Sequence, residues 1–396
     1  MATRVLLINQ HYHPDFAATG QLLKDLAEDL VMHGFVVTVL TGPPLYVEEK
    51  VPTHETIAGV TVIRMRSFAF RSLRLPAKLL NWISFYVLVF FYGLSLPRHD
   101  IVMALTTPPY IGFVGWFVAK VKRSTFVLNV QDLYPEVLAA AKVKASFLAP
   151  LFVPFSKLLY RLSDKIVVIG DGMADRILTH NPAIPEERVS VIENWADGRE
   201  ITMIDPAVNP YKSKWGITDE FVLLYSGNMG RAHNFEVIYE LMRRYKDDRR
   251  LLFLFIGGGP KERNIRFFCR SNGITNVQFH SYVPRSNLAC TYSLGDLAII
   301  TMEEGTEGLV VPSKFYAYAA AGLPVLCISL QTTDLRHHIR EPWGLITKNA
   351  DEAFHFVEKM RRHAHEYRDT IRGYFLRELD RPLRTAQYAR LFSSLP

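Results

Sequence analysis

Residues 296–329 read DLAIITMEEGTEGLVVPSKFYAYAAAGLPVLCIS and contain a complete strand–helix–strand unit. The apolar runs 297–302 and 324–329 each predict a buried strand. Pro312 and Ser313 are typical of a helix start, and the small-residue run after them predicts the helix itself. Two apolar strands joined through a helix indicate a parallel sheet with helices packed on its faces.

The same alternation of strands and helical stretches recurs along the chain in two series. The strands of the first are RVLLINQ (4–10), VVTVLTG (36–42), IVMALTT (101–107), TFVLNVQD (125–132), KIVVIGDG (165–172) and RVSVIENW (188–195). Those of the second are FVLLYSGNMG (221–230), LLFLFIGGGP (251–260), VQFHSYV (277–283), LAIITM (297–302) and PVLCIS (324–329). We therefore expect an α/β protein with two Rossmann-like, doubly wound domains that face each other across a cleft. Ligands in such sheets bind beyond the carboxyl ends of the strands.

A break at residues 197–219 separates the two series and sets the domain boundaries. We place the N-terminal domain at residues 1–197 and the C-terminal domain at residues 198–375. The remaining residues, 376–396, include the helical sequence TAQYARLFSSL. That helix could pack back on either domain, and we assign it to the N-terminal one.

Composition indicates a globular protein that meets an acidic partner. The chain has 396 residues, of which 49% are hydrophobic and 21% charged, and its formal net charge is +7. A basic balance suits a membrane surface, a nucleotide or a nucleic acid. Three cysteines without a metal-binding spacing favour a reduced, cytoplasmic compartment, and the start of the chain does not read as a signal peptide.

The segment LLNWISFYVLVFFYGLSL, residues 79–96, is apolar and uncharged over 18 residues. It is rich in aromatic residues, and Arg64, Arg66, Arg71, Arg74 and Lys78 precede it. Aromatic side chains and a basic flank favour a helix that lies in the interface of an anionic membrane. A buried core helix and a marginal transmembrane span are the two other interpretations of this segment.

The first strand-to-helix turn argues against a dinucleotide enzyme. After VLLIN the chain continues QHYHPDFAATG, in which Gly20 is the only glycine, so the GxGxxG pattern is missing. One glycine still allows main-chain amides to approach a phosphate at the start of the helix. Gly20 is thus a candidate donor-binding residue, or simply a turn glycine.

Seven stretches in order resemble the family-4 glycosyltransferases of the GT-B fold, in particular those of colanic-acid-type exopolysaccharide and O-antigen assembly. They are 12–42, 105–112 (LTTPPYIG), 129–136 (NVQDLYPE), 191–198 (VIENWADG), 225–236 (YSGNMGRAHNFE), 255–260 (FIGGGP) and 308–326 (GLVVPSKFYAYAAAGLPVL). The resemblance implies retaining, hexosyltransferase-type transfer of a sugar from a nucleoside diphosphate. It also implies a polyprenyl-diphosphate-linked glycan as acceptor and no cofactor or catalytic metal.

Without a metal, the charge of the leaving diphosphate must be met by cationic side chains and main-chain amides. Asn228 and His233 are candidate donor-binding residues at positions where the family usually carries Arg and Lys, with His233 a candidate diphosphate ligand. Arg231 between them is the candidate bidentate phosphate ligand. Lys314, beside Ser313 at the predicted helix start, is a second cation. By family analogy the remaining donor residues on neighbouring strand ends are Gly257, Gly258, Tyr282 and Val283.

The family's two glutamates are only partly present. The second, which contacts the donor ribose in the family, corresponds to Ala317, so the ribose must be recognised differently. Glu304 and Glu307 both qualify as the first, and Glu307 is our choice as a catalytic residue together with Asp132 and Arg231. The loop around them contributes the further candidate donor contacts Gly305, Gly308 and Leu309.

On the acceptor side, Asp132 follows a predicted strand and could accept or orient an acceptor hydroxyl. Asp15 and His13 in the first loop are candidate acceptor contacts. The resemblance further implies a cytoplasmic enzyme on the inner face of the plasma membrane, with a UDP- or GDP-linked donor and no nucleic-acid partner. A non-catalytic partner protein and a nucleotide-sugar epimerase of the same fold remain as alternatives.

Overall fold

The computed structural model describes residues 2–15, 17–45, 51–71, 75–140, 147 and 149–396. The chain forms two compact units. The amino-terminal unit comprises Met1–Glu136, Phe147–Asn194 and Pro382–Pro396, and the carboxyl-terminal unit comprises Val137–Ser146 and Trp195–Arg381.

Strands and helices alternate through most of the described chain. The strands are β1 Arg4–Ile8, β2 Val36–Thr41, β3 His54–Ile57, β4 Val60–Arg64, β5 Ile101–Leu105, β6 Thr125–Val130, β7 Lys165–Val168, β8 Val189–Val191, β9 Phe221–Asn228, β10 Leu251–Gly258, β11 Val277–His280, β12 Leu297–Thr301, β13 Val325–Ile328 and β14 Gly344–Thr347. The helices are α1 Ala18–Met32, α2 Leu75–Ser95, α3 Ile111–Lys122, α4 Glu136–Ala140, α5 Ala149–Leu162, α6 Asp171–His180, α7 Pro210–Lys214, α8 Glu236–Arg244, α9 Glu262–Ser271, α10 Leu288–Tyr292, α11 Lys314–Ala320, α12 Ala350–Glu378 and α13 Arg381–Ser393.

The amino-terminal unit is built on an eight-stranded sheet in the order β3-β4-β2-β1-β5-β6-β7-β8. Every pair is parallel except β3 with β4. The central strands are buried over nearly their whole length, because helices cover the sheet on both faces. Helix α1 packs on β2, while α2, α3 and α5 form a layer in which each helix contacts the next.

The hairpin of β3 and β4 was not predicted from the sequence. Its strands pair Ile57 with Val60 across a two-residue turn in which Ala58 and Gly59 have φ of +48° and +83°. Both values are those of the turn that matches strand twist in a hairpin. Strand β3 (HETI) has no buried residue, and β4 (VTVIR) is buried except at Thr61 but is interrupted by polar residues, so neither strand has the continuous apolar run of a buried parallel strand.

The carboxyl-terminal unit is built on a six-stranded parallel sheet in the order β11-β10-β9-β12-β13-β14. Its core includes Tyr225, Phe253 and Phe255 from the sheet and Phe356 from α12. Helix α12 begins at Asn349, whose side chain accepts hydrogen bonds from the main-chain N–H groups of Asp351 and Glu352. The two parallel sheets confirm the predicted α/β class, although β14 was not among the predicted strands.

The last helix belongs to the amino-terminal unit. Helix α13 begins at Arg381, where the prediction placed a helix over 376–396, and α12 continues to Glu378. The Tyr388 hydroxyl accepts a hydrogen bond of 2.7 Å from Asn129 Nδ2, and the Phe392 ring packs edge-on against Phe35. Both contacts are buried, so α13 is an integral part of this unit.

Helix α2 buries only one narrow stripe of its surface. Its buried residues, Asn81, Phe85, Val89 and Gly93, are spaced by four, and its exposed apolar residues include Leu79, Leu80, Ile83, Val87 and Phe91. Within the described residues it is the one helix long and apolar enough to cross a membrane, and 22% of its most apolar window is buried. A fully buried core helix is therefore the wrong interpretation of residues 79–96. Arg74 of the predicted basic flank lies outside the described residues.

The Tyr388–Asn129 contact predicts a measurable loss of stability. We expect Tyr388→Phe to leave the Asn129 amide without its partner and to destabilise the amino-terminal unit by about 1–3 kcal/mol. Urea unfolding followed by fluorescence measures the change. Leu383→Ala, on an exposed position of the same helix, is the matched control and should have a smaller effect.

Candidate active site

The carboxyl ends of β9 and β10 lie in main-chain contact. Gly257 pairs with Gly227, and their φ angles of +127° and +120° favour glycine. A Cβ atom on Gly257 would lie 2.3 Å from the Gly227 carbonyl oxygen, and one on Gly259 would lie 2.5 Å from Asn228 Oδ1. A Cβ on Gly258 would meet only side-chain atoms at 3.5 Å. Gly257 therefore closes the strand pair, whereas Gly258 has open space beside it.

The ammonium of Lys314, the first residue of α11, lies beside the paired glycines of β9 and β10. Its Nζ is buried and has no hydrogen-bond partner among the described residues. It sits 3.8 Å from the centre of the Tyr225 ring, a cation–π contact. Burial lowers the pKa of Lys314 from 10.5 to about 7, because no carboxylate near it stabilises the charge.

His233 lies next to this ammonium and is neutral. Burial, with the neighbouring charges of Lys314 and Lys261, lowers the pKa of the imidazole to about 3. Its Nδ1 is 2.7 Å from the Thr301 carbonyl oxygen, which can only accept, so Nδ1 carries the proton. Nε2 of the neutral ring is then a hydrogen-bond acceptor. His233 thus stands in the predicted region but cannot supply charge to a phosphate near neutral pH.

Lys261, three residues beyond the end of β10, is a cation that the sequence analysis missed. Its Nζ donates to the His233 carbonyl oxygen and lies 3.4 Å from Glu303 Oε2. Glu303 in turn donates its main-chain N–H to the Ala232 carbonyl at 2.8 Å. These contacts tie three loops together. The position of Lys261 directly after GGGP was the available signal for it.

The predicted donor glutamates separate into two roles. Glu307 is buried; its Oε2 accepts from the Gly305 N–H at 2.8 Å, and Ser329 Oγ lies 3.4 Å from its Oε1. Glu304 points outward and pairs with Lys348 at 2.6 Å. Through these contacts Glu307 stabilises the conformation of its own loop. Its role toward a sugar stays a prediction.

The other predicted donor residues lie on the loops that follow the strands of this sheet. Asn228 is exposed at the end of β9, and Arg231 is exposed on the loop that follows. Tyr282 is exposed after β11, with its hydroxyl 3.4 Å from the Gly258 carbonyl oxygen. Val283 follows Tyr282 and is half-buried. Ser313 precedes α11 without a side-chain capping bond, Leu309 is buried, and Gly305 and Gly308 have φ of +87° and +68°.

Asp132, the predicted acceptor carboxylate, lies just after β6 in the amino-terminal unit. Its N–H donates to Thr106 Oγ1 at 3.4 Å, and Thr106 follows the adjacent strand β5. Burial raises the pKa of Asp132 to about 6. Beside it a chain of buried amides runs from Asn194 through Gln131 to Asn129, with hydrogen bonds of 3.1 and 2.7 Å. Such a rigid polar edge can hold a carboxylate toward hydroxyl groups.

The first loop of the same unit does not expose Asp15. Asp15 is buried and accepts from the Leu45 N–H at 3.1 Å, and its Oδ2 lies 2.9 Å from His11 Nδ1. Asp15 therefore positions His11, which the sequence analysis did not select, whereas His13 is exposed. Gly20 packs against this loop, since a Cβ there would lie 3.1 Å from the His11 carbonyl carbon.

Taken by itself, the donor-type edge of the carboxyl-terminal unit can hold a polyanion. It combines Lys314, Lys261 and exposed Arg231 with main chain that only glycine permits to come so close. Within the described ranges, no group of three or more His, Cys, Asp and Glu side chains is arranged to hold a metal ion.

Two family models match the chain in tandem. The glycosyl transferase 4-like domain matches residues 18–195, and the glycosyl transferases group 1 domain matches residues 209–366. The chain is 23% identical over 334 residues to WcaI of Escherichia coli (strain K12), assigned as a colanic acid biosynthesis glycosyl transferase, with 81% of each chain covered. It is 26% identical over 246 residues to WbjE of Pseudomonas aeruginosa, assigned as a glycosyltransferase, covering 62% of this chain and 61% of that one.

Solved structures share the fold over the whole chain. Sucrose-phosphate synthase from Thermosynechococcus elongatus superposes with a TM-score of 0.79 at 15% identity, covering 99% of both chains. HepE from Anabaena, in complex with UDP and glucose, gives 0.73 at 12% identity, covering 99% of this chain and 100% of HepE. WaaG, a glycosyltransferase of lipopolysaccharide biosynthesis, gives 0.68 at 16% identity, covering 98% and 100%. With both domain models matched in order, the chain belongs to the glycosyltransferases of the GT-B fold and family 4 type.

Proposed function

We propose that the protein is a retaining glycosyltransferase that moves a sugar from a nucleoside-diphosphate donor to a lipid-linked glycan in polysaccharide biosynthesis. The observation that carries the proposal is the buried ammonium of Lys314, which has no hydrogen-bond partner in the described part of the chain. A charge held without a hydrogen-bond partner is costly in the folded state, and an incoming diphosphate would offset that cost. The donor-type edge therefore carries a cation whose burial a diphosphate would stabilise.

The similar proteins support the class of donor and product. WcaI is assigned to colanic acid biosynthesis, and HepE has been solved with UDP and with UDP-glucose. A nucleoside-diphosphate sugar matches two features of the site. Its diphosphate suits the cations, and its base could be recognised by main-chain atoms at the strand ends. We include both UDP- and GDP-linked sugars in the donor class.

The transfer step follows from the groups present and needs no metal in our proposal. The bond between the anomeric carbon and the diphosphate oxygen breaks while a bond forms from the acceptor hydroxyl oxygen to that carbon. The hydroxyl proton passes to the leaving phosphate, whose charge Arg231, Lys261 and Lys314 stabilise. Asp132 accepts a hydrogen bond from the acceptor hydroxyl. Because its pKa is about 6, it is ionised and the stronger acceptor above that pH, and it is protonated and a weaker acceptor below it.

The helical layer of the amino-terminal unit fits an anionic membrane surface, on which a lipid-linked acceptor is delivered. Exposed apolar residues cover all three helices: Leu79, Leu80, Ile83, Val87 and Phe91 on α2, Phe117 and Val121 on α3, and Leu151, Phe152, Phe155 and Leu158 on α5. The basic residues Lys78, Lys120 and Arg161 are exposed along the same helices. An apolar face with basic side chains matches the interface of an anionic bilayer, so we place the enzyme on the cytoplasmic face of the plasma membrane.

One observation keeps a non-catalytic role in view. Ala317 stands on α11 where the family's ribose-binding glutamate is expected, and its side chain offers no hydrogen bond. A protein that had lost donor recognition could still serve as a partner of another transferase. Turnover of a sugar donor by the purified protein separates this role from the proposed one.

Substitution of the glycines at the end of β10 tests donor binding. We expect wild type to bind one of UDP or GDP in calorimetry, and Gly259→Ala to lose that binding, because its Cβ would collide with Asn228 Oδ1 and the Met229 carbonyl. Gly258→Ala, one residue away, has space for its Cβ and should retain the fold. Circular dichroism controls for folding. Unchanged binding by Gly259→Ala, or no binding of either nucleotide by wild type, would contradict the proposal.

Membrane association is tested with vesicles. We expect sedimentation with phosphatidylglycerol-containing vesicles, and a loss of at least severalfold in Phe91→Glu and Phe155→Glu, since each places a charge in the apolar layer. Phe267→Glu is the matched control, because Phe267 lies on the carboxyl-terminal unit and is 66% exposed, against 64% for Phe91. Equal losses in all three variants, or no binding by wild type, would sink the membrane assignment.

A further inference from the structure

A basic cleft lies at the amino-terminal edge of the eight-stranded sheet, where α3 and α5 end. Its volume is about 790 Å³. Among the described residues that line it are four cations, Lys120, Arg123, Arg161 and Arg188, and a single carboxylate, Asp164. An excess of cations around one concave surface indicates a site for an anion.

Two of these charged residues already have roles within the fold. Arg188 donates from its guanidinium to the carbonyl oxygens of Arg161, at 3.1 Å, and of Ser163, and so satisfies the carboxyl end of α5. Asp164 accepts a hydrogen bond of 2.8 Å from the main-chain N–H of Phe126. Neither contact involves the other three cations of the cleft through their side chains.

Those three cations are not used by the fold in this way. The side chains of Lys120, Arg123 and Arg161 are exposed, and they form no ion pair or hydrogen bond with other described residues. Like charges around one cleft repel one another. A bound anion would therefore stabilise this arrangement.

Arg123 has a main-chain conformation that favours glycine. It caps the carboxyl end of α3 with φ of +55° and ψ of +48°, and its N–H donates to the Lys120 carbonyl oxygen at 3.3 Å. Glycine adopts this left-handed conformation without steric cost and is the usual residue there at helix ends. An arginine that bears this cost indicates a use for its side chain.

The cleft continues into the apolar face of the helical layer. Phe117 lies one turn before Lys120 on α3, and Leu158 lies one turn before Arg161 on α5. Residues three positions apart share a helix face, and both apolar side chains are exposed. Half-buried Trp116 lines the cleft itself. An anion in the cleft therefore has apolar surface beside it that suits an attached hydrocarbon chain.

The cleft and the predicted acceptor carboxylate lie at opposite edges of the sheet. Arg123 precedes β6 and Asp132 follows it. Because a strand advances about 3.3 Å per residue, β6 holds its two ends about 20 Å apart. An anion in the cleft is thus well removed from a hydroxyl that reacts beside Asp132, which suits a lipid that the enzyme binds without converting it.

We propose that this cleft binds the phosphodiester headgroup of an anionic glycerophospholipid, with the acyl chains over the apolar face of α3 and α5. The inference rests on the membrane association in the proposed function and adds a defined lipid site to it. Arg123 and Arg161 bind the phosphate oxygens through the paired N–H groups of their guanidinium. The bound lipid fixes one point of the amino-terminal unit on the bilayer, which an apolar face alone does not do.

Calorimetry with dihexanoyl phosphatidylglycerol, below its critical micelle concentration, tests the site without a membrane. We expect one molecule to bind per chain. Glycerophosphoglycerol, which carries the same phosphodiester without acyl chains, and inorganic phosphate should bind weaker by about tenfold or more, since neither buries apolar surface. Equal affinity for either, or no binding of the short-chain lipid, would overturn the lipid assignment.

Substitutions inside and outside the cleft locate the binding. Arg123→Gly combined with Arg161→Gln should weaken binding of the short-chain lipid by about tenfold or more, because each guanidinium makes a charge-assisted contact. Arg98→Gln is the matched control, since Arg98 is exposed on the same unit, precedes β5 and does not line the cleft. An equal loss in the control would show that net charge, and not the cleft, binds the lipid.

Arg123→Gly alone separates lipid binding from folding. Because glycine suits the observed φ, the thermal midpoint should equal or exceed that of wild type while lipid affinity falls. A lower midpoint with unchanged affinity would mean that the Arg123 side chain serves the fold, and the inference would be wrong.

Vesicle sedimentation separates this inference from the proposed function. If wild type sediments with phosphatidylglycerol vesicles, Phe91→Glu reduces it and the double cleft variant behaves like Arg98→Gln, the cleft assignment is wrong and the membrane assignment stands. If wild type does not sediment, both fall together. Loss of short-chain lipid and of vesicle binding in the double variant, with Arg98→Gln close to wild type, supports the inference.

Discussion

The donor-type edge of this protein depends on a close approach of main chain that only glycine allows. Gly257 lies so near Gly227 that a single Cβ atom would fall 2.3 Å from a carbonyl oxygen. This approach brings the ends of β9 and β10 together beside Lys314, whose ammonium lies 3.8 Å from the centre of the Tyr225 ring. An aromatic face offsets only part of the cost of burying a cation, so a bound anion would stabilise the Lys314 ammonium further.

Charge repulsion explains why a neutral histidine, His233, lies beside the buried Lys314. A second full cation at 233 would repel Lys314 in surroundings that screen charge poorly. The imidazole avoids this repulsion by staying neutral, with its proton fixed on Nδ1 by the Thr301 carbonyl. Lys261 lies nearby but is already engaged with Glu303. The three cations therefore differ in their surroundings: Lys261 is paired with Glu303, Lys314 is buried, and Arg231 is exposed.

The fold followed from sequence because buried parallel strands are continuous apolar runs, and eleven such runs became β1, β2 and β5–β13. The hairpin of β3 and β4 was not predicted because polar residues interrupt both strands, and β14 was not predicted because its sequence, GLIT, holds only two large apolar residues. In the candidate site, Lys314 was predicted from its place at a helix start, and Gly257 and Gly258 from the resemblance. Lys261 and the contacts of Glu307 within its own loop were not predicted, because each depends on which loops meet in three dimensions.

The central claim is that the Lys314 ammonium binds the diphosphate of a sugar donor. A crystal structure of the protein with bound UDP or GDP tests it most directly. We predict a phosphate oxygen at about 2.7–3.2 Å from Lys314 Nζ, with the glycine ends of β9 and β10 along the nucleotide. A nucleotide bound elsewhere, with the ammonium still unpartnered over the Tyr225 ring, would contradict the account.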